Sequence, residues 1–147
     1  MPEKQTLKRA RKDKAAGKSA STQAGEFVRQ EMEHIRRGKH GARSTKQAIA
    51  IGLSEARRAG VKLKAPGRNA SAATRRKARQ DAKASHGRPS ARRSRATKAA
   101  LKREPRAAAS RTALSRQARN AAKKRTPASR SAAARKAAQT RKASHGA

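Results

Sequence analysis

The sequence predicts an all-α chain. A small helical N-terminal part of about three helices is followed by a long basic tail, disordered or only conditionally helical. Three observations predict this. The large apolar residues fall almost wholly before position 64: Leu7, Phe27, Val28, Met32, Ile35, Ile49, Ile51, Leu53, Val61 and Leu63. Beyond it stand only Leu101 and Leu114. Charge divides at the same place, with 16 Lys plus Arg against 6 acids in residues 1–63 and 26 against 2 in residues 64–147. The early apolar residues also recur at helical spacing. The expected organisation is therefore a helical domain over 1–63 and a basic tail over 64–147.

Each early helix has local reasons. Pro2 and Glu3 suit a first turn, and the pattern runs to about Ala16 before Gly17. Leu7 is its only large apolar residue. The second helix spans about Thr22 to Arg37, capped by Ser21 or Thr22 and closed by Arg36-Arg37-Gly38. Ala24, Phe27, Val28, Met32 and Ile35 share one of its faces. The third occupies "HGARSTKQAIAIGLSEARRAG", residues 40–60. Ser44 and Gln47 fit a capping box, Ile49, Leu53 and Ala56 form a stripe, and Gly60 suits the left-handed position after the last turn. Gly52 costs about 1 kcal/mol against Ala inside a helix, and is explained if helix two approaches closely there. Helices two and three then pair as a hairpin across "GKHGAR".

The tail cannot offset its chain entropy by burying apolar area. Pro66, Pro89, Pro105 and Pro127 divide it into segments of Ala, Arg and Lys, which are good helix formers. Repulsion between neighbouring cations is expected to keep these segments unfolded until phosphates remove it. "RKARQDAKASHG" at 76–87 returns as "RKAAQTRKASHG" at 135–146, without an apolar face that could stack as a solenoid.

Composition excludes several function classes. Cys is absent, which removes disulfides, thiolate metal sites and thiol catalysis. No apolar run approaches transmembrane length, and one Phe with no Trp is too little for a membrane-surface helix. The N-terminus lacks the apolar core of a signal peptide, so a cytoplasmic protein is expected. No nucleophile–base set or phosphate loop is present. His34, His40, His86 and His145 are read as having no helical metal spacing with another His or acid. Glu26, Glu31 and Glu33 are read as surface partners of Arg29, Arg36 and Arg37. The expectation is no enzyme, no metal and no cofactor.

A formal net charge of +34 requires a polyanion. The expected contacts are phosphates, held by Arg75, Arg76, Lys77, Arg79, Arg88, Arg92, Arg93, Arg95, Lys123, Lys124 and Arg125, each individually replaceable. With almost no aromatics, base stacking is disfavoured, and duplex DNA bound without much sequence preference fits best. Gly87-Arg88-Pro89 resembles the centre of an AT-hook, with His86 where that motif has Arg and Ser85 where it has Pro, and in a chain this rich in Arg a chance tripeptide is the better account. "TKQAIAIGLS" nearly matches helix-turn-helix spacing but is one residue short, which favours a continuous helix. Ser94 and Ser144 stand in basic-directed phosphorylation contexts whose modification would weaken binding.

Residues 2–63, "PEKQTLKRARKDKAAGKSASTQAGEFVRQEMEHIRRGKHGARSTKQAIAIGLSEARRAGVKL", resemble a family of small, basic, functionally uncharacterised proteobacterial proteins. "KHGARSTKQAIAIGLSEARRAG" is the most specific part. The resemblance implies a bacterial origin and transfers no catalytic residue. The tail resembles in composition the histone H1-like tails of bacterial nucleoid proteins. The sequence thus points to non-enzymatic, nucleoid-associated DNA binding by the tail, with self-association through residues 22–60 and no membrane contact. The alternatives are an RNA- or ribosome-associated protein, and a protein-interaction module with a localising tail.

Overall fold

The computed structural model describes residues 2–84 and 90–145. Seven α-helices and one 3-10 turn are found among them: α1 (Lys4–Ala15), α2 (Ala20–Arg36), α3 (Thr45–Arg58), α4 (Ala72–Lys83), α5 (Ala91–Lys102), the turn Ala107–Ala109, α6 (Arg111–Lys123) and α7 (Pro127–His145). They fall into two compact units, residues 1–110 and 111–147. The shift in composition at residue 64 therefore lies inside the first unit.

The expectation of about three helices and a long disordered tail is overturned, since four helices lie in the tail. The physical reasons are visible in its residues. Ser or Thr caps recur there: the Ser71 Oγ accepts from the Thr74 N–H, Ser90 from Arg93, and Thr126 Oγ1 from Ser129. Pro127 stands in the first turn of α7, where its missing N–H costs nothing. The cations of α7, Arg130, Arg135, Lys136, Arg141 and Lys142, are never three or four apart. The like-charge penalty expected at those spacings therefore does not arise within α7, and Ala propensity prevails. In α4 docking replaces that advantage. Asp81, 2% exposed, accepts from Ser54 at 2.7 Å, Arg58 at 3.1 Å and Lys77 at 2.8 Å.

The core of the first unit lies between α1, α2 and α3. Phe27 and Ile35 of α2 are fully buried, with Ala24, Ala48 and Ala56 beside them. Leu7, Leu53, Val61 and Leu63 pack partly against Phe27 and its neighbours. α1 ends at Gly17 with φ +70°. α2 is capped two residues earlier than the sequence suggested: Ser19, not Ser21 or Thr22, accepts from the Thr22 N–H. α3 begins as expected, with Ser44 Oγ accepting from the Gln47 N–H at 3.1 Å. Gln47 reaches back one residue further than a capping box, to the Arg43 N–H at 2.7 Å. α3 is one continuous helix, not a helix-turn-helix. Gly60 adopts φ +89°, and the Val61 N–H returns to the Ala56 carbonyl.

The buried face of α3 is Thr45, Ala48, Gly52 and Ala56; of the expected stripe Ala56 is buried, and Ile49 and Leu53 are not. Those two are only half-buried. The reason is backbone proximity. A Cβ on Gly52 would stand 2.7 Å from the Val28 Cα and 2.9 Å from its N, so α2 and α3 touch through their main chains. Small residues therefore face the partner, and the larger ones flank the contact.

The chain between α5 and α6 closes this hairpin. The Gly41 N–H donates to the Leu101 carbonyl at 2.8 Å, and the Ala42 N–H to Pro105 at 3.0 Å. A Cβ on Gly41 would fall onto the Glu104 carbonyl. The turn Ala107–Ala109 is fixed from both helices: Arg36 Nε donates to the Ala109 carbonyl at 2.9 Å and Thr45 Oγ1 to the Ala108 carbonyl at 2.7 Å. A stretch with no large apolar side chain between Leu101 and Leu114 is thus held by its own main-chain carbonyls.

Candidate nucleic-acid interface and a buried acid–histidine cluster

The basic residues sort themselves by helix. On α4, Arg75, Arg76 and Arg79 lie together with Gln80 and Lys83 on an open face of the helix. Lys77 does not join them, because its Nζ pairs with Asp81 at 2.8 Å. Burial raises the Asp81 pKa, but hydrogen bonds from Lys77, Ser54 and Arg58 outweigh it and hold the carboxyl below its ordinary value. Arg58 of α3, through this contact, helps to hold α4 down.

On α5, Arg92, Arg93 and Arg95 are all exposed. Arg92 and Arg95 continue through Lys98 and Lys102 at spacings of three and four, which makes a stripe of cations about 15 Å long at 1.5 Å per residue. Lys98 and Lys102, like Lys83, were missing from the sequence-derived set. Helical spacing from Arg92 and Arg79 would have found them had the tail been read as helical. Lys123 ends α6, with Arg116 and Arg119 on the same side, and exposed Lys124 and Arg125 follow it. Arg88 and the Gly87-Arg88-Pro89 segment lie outside the described residues. The named residues are thus spread over several helices and are not gathered into one pocket.

One further property unites these helices. α5, α6 and α7 contain no acid, and the sole acid of α4 is the buried Asp81. Every exposed formal charge on α4 to α7 is therefore positive.

A second arrangement was not read from the sequence. Glu31 of α2 is 1% exposed, and burial pushes its carboxyl up to about 7, opposed by His40 and reinforced by Glu55. Burial also raises Glu55 of α3, whose Oε2 accepts from Gln30 Nε2 at 3.2 Å. Gln30 Oε1 in turn accepts from the Glu3 N–H at 2.8 Å. The Glu3 carboxylate is held down to about 2 by hydrogen bonds from His34 and Lys39, both at 2.9 Å. His40 Nε2 lies 3.5 Å from Glu31 Oε1, and the His34 and His40 rings meet edge to face with centroids 6.2 Å apart. The reading of Glu31 as a surface acid is corrected, and so is the reading of His34 and His40; His86 lies outside the described residues. Glu31 and His34 are three apart on α2, a helical spacing, and the turn at Gly38 brings His40 to them.

Residues 11–69 match the model of a family of unknown function (DUF6496). The match covers less than half of the chain and fits the resemblance drawn from residues 2–63. It includes α2 and α3, whereas the basic helices α4 to α7 lie beyond it. No curated protein matches the chain, and no solved structure does. Among the described residues no helix is long and apolar enough to cross a membrane.

Proposed function

We propose that this is a non-enzymatic protein that binds duplex DNA largely without regard to sequence, in the manner of a nucleoid-associated, histone-like protein. The single observation that carries the reading is the unbroken positive sign of every exposed formal charge on α4 to α7. Counterion release from DNA rewards such a surface whatever the base sequence. Phosphate neutralisation by cations spread over several helices needs no fixed register against base edges. The binding helices are formed before the encounter, so association orders less chain than a disordered tail would. Within the first unit α3 holds α4 through Asp81, and residues 22–60 supply self-association. A proteobacterial source and a tail like those of bacterial nucleoid proteins accord with this reading.

The test is affinity for random-sequence duplex DNA as a function of salt, for the full chain and for residues 1–110. The slope of log K against log salt is about −0.9 per phosphate neutralised. The segment removed carries 11 Lys plus Arg and no acid. The full chain should show a steep slope, and the shorter one a clearly shallower slope with weaker binding. Equal slopes and equal affinities would place binding in the first unit alone. Co-sedimentation with nucleic acid that survives DNase but not RNase would replace duplex DNA with RNA.

A further inference from the structure

The chain carries only eight acids, and three of them, Glu3, Glu31 and Glu55, are linked around α2 through Gln30, His34 and His40. In a protein of net charge +34 this concentration of acid beside two imidazoles needs a reason. Glu31 Oε1 is buried and has no hydrogen-bond partner. The atom nearest to it in chemical terms is His40 Nε2 at 3.5 Å, too far for a good hydrogen bond. The other nitrogen of that ring, Nδ1, lies 3.0 Å from the Gly41 carbonyl. A carbonyl can only accept, so Nδ1 carries the proton. In the neutral ring Nε2 then presents a lone pair toward a carboxylate oxygen that also presents one. Two acceptors facing each other across 3.5 Å call for a shared proton or a metal cation between them.

We propose that Glu31, His34 and His40 form a binding site for a divalent first-row transition ion, zinc in the first place, that pins the α2–α3 connector to α2. One ligand atom from each of the three residues lies within 4.8 Å of the others. Ligands about 2.0 Å from a tetrahedral zinc stand about 3.3 Å apart. The Glu31–His40 edge is already near that value, and the widest edge closes by side-chain rotation. Two imidazole nitrogens and one carboxylate oxygen are a ligand set that zinc accepts. The Nδ1–H of His40 on a backbone carbonyl is the supporting contact that metal-bound histidines usually make. Glu3 Oε1, 2.9 Å from His34 Nε2, is placed to complete the set or to orient that ring. A cation here also relieves the cost of burying the Glu31 carboxylate. Its role is structural, as a staple in a fold with few large apolar residues.

The test uses the full chain, stripped with a chelator and titrated with zinc chloride by calorimetry, while ¹H–¹⁵N spectra follow the imidazole signals. The expected result is saturable one-to-one binding with shifts confined to His34 and His40. Affinity should fall at least about tenfold in His40→Ala and in Glu31→Gln, and stay unchanged in the double variant His86→Ala with His145→Ala. Circular dichroism checks that each variant keeps its helices, and the wild-type spectra decide the matter if one does not. The proposal is overturned if stoichiometric zinc leaves the His34 and His40 signals in place. It is equally overturned if His40 proves to be a doubly protonated ring paired with Glu31 that zinc does not displace, or if binding follows His86 and His145.

Discussion

The helices α2 and α7 are nearly the same length, 17 and 19 residues, and both carry Ala and cations, yet they are held by different forces. α2 buries Ala24, Phe27, Met32 and Ile35 against its neighbours. α7 has no buried side chain among its described residues. Its hydrogen bonds rest on a Thr126 cap, Pro127 in the first turn and a spacing of cations that avoids the next turn. The difference teaches that a helix can be specified in two ways. A packed helix fails as a unit when its core is damaged, whereas an unpacked one loses stability locally, residue by residue.

The sharpest way to break the comparison is Phe27→Ala. Removing a fully buried aromatic costs about 3–5 kcal/mol, which a small core cannot absorb. Amide exchange should show α1, α2 and α3 losing protection together while α7 keeps its own. Loss of both at once would show that α7 depends on the first unit. Next in size is Gly52→Leu. Its Cβ has to stand where the Val28 main chain is, and overpacking of this kind costs about 1–3 kcal/mol or more. A variant with unchanged helicity and melting temperature would remove the close approach from the account.

Asp81→Asn tests α4, which stands between the two cases. Loss of its charged hydrogen bonds should cost about 1–2 kcal/mol, discounted because Lys77 and Arg58 are open to water. The same residue sets a pH dependence. Its folded-state pKa is lowered from 3.8, so its contribution is present above that value. It is lost as the pH falls through the lowered folded value, where native and unfolded chains become equally protonated. Wild type should therefore converge on the Asn variant in strong acid, in urea titrations at matched salt. A constant difference between them at all pH values would deny Asp81 that role. The smallest effect is expected in α7. Ala133→Gly should lower its helicity by the equivalent of about 1 kcal/mol and leave the melting of the first unit unchanged.

Some of this was open to inspection from residue order alone. Ser44, Gly60 and the run between them define α3, because caps and C-terminal glycines act through neighbours in sequence. Gly52 as a point of close approach was readable for a related reason: a costly residue inside a helix asks for a compensating contact. For α7 the total charge conceals a spacing of cations that avoids the next turn, whereas α4, α5 and α6 form despite cations three and four apart. Their signals were nevertheless local, in Ser71 with Thr74, Ser90, and Thr126 with Pro127.

What the sequence by itself determined is the charge, its near-exclusive positive sign beyond residue 64, the absence of thiol chemistry and the boundaries of α3. These depend on composition or on residues within one turn of each other. Only the tertiary structure decided that Asp81 is consumed by Ser54, Arg58 and Lys77, that Gly41 pairs with a chain segment sixty residues away, and that Glu31 is buried beside His40. Burial and proximity between distant residues follow from which helix faces meet. Here small residues and main-chain contacts chose those faces, and apolar patterning gives no sign of such a choice.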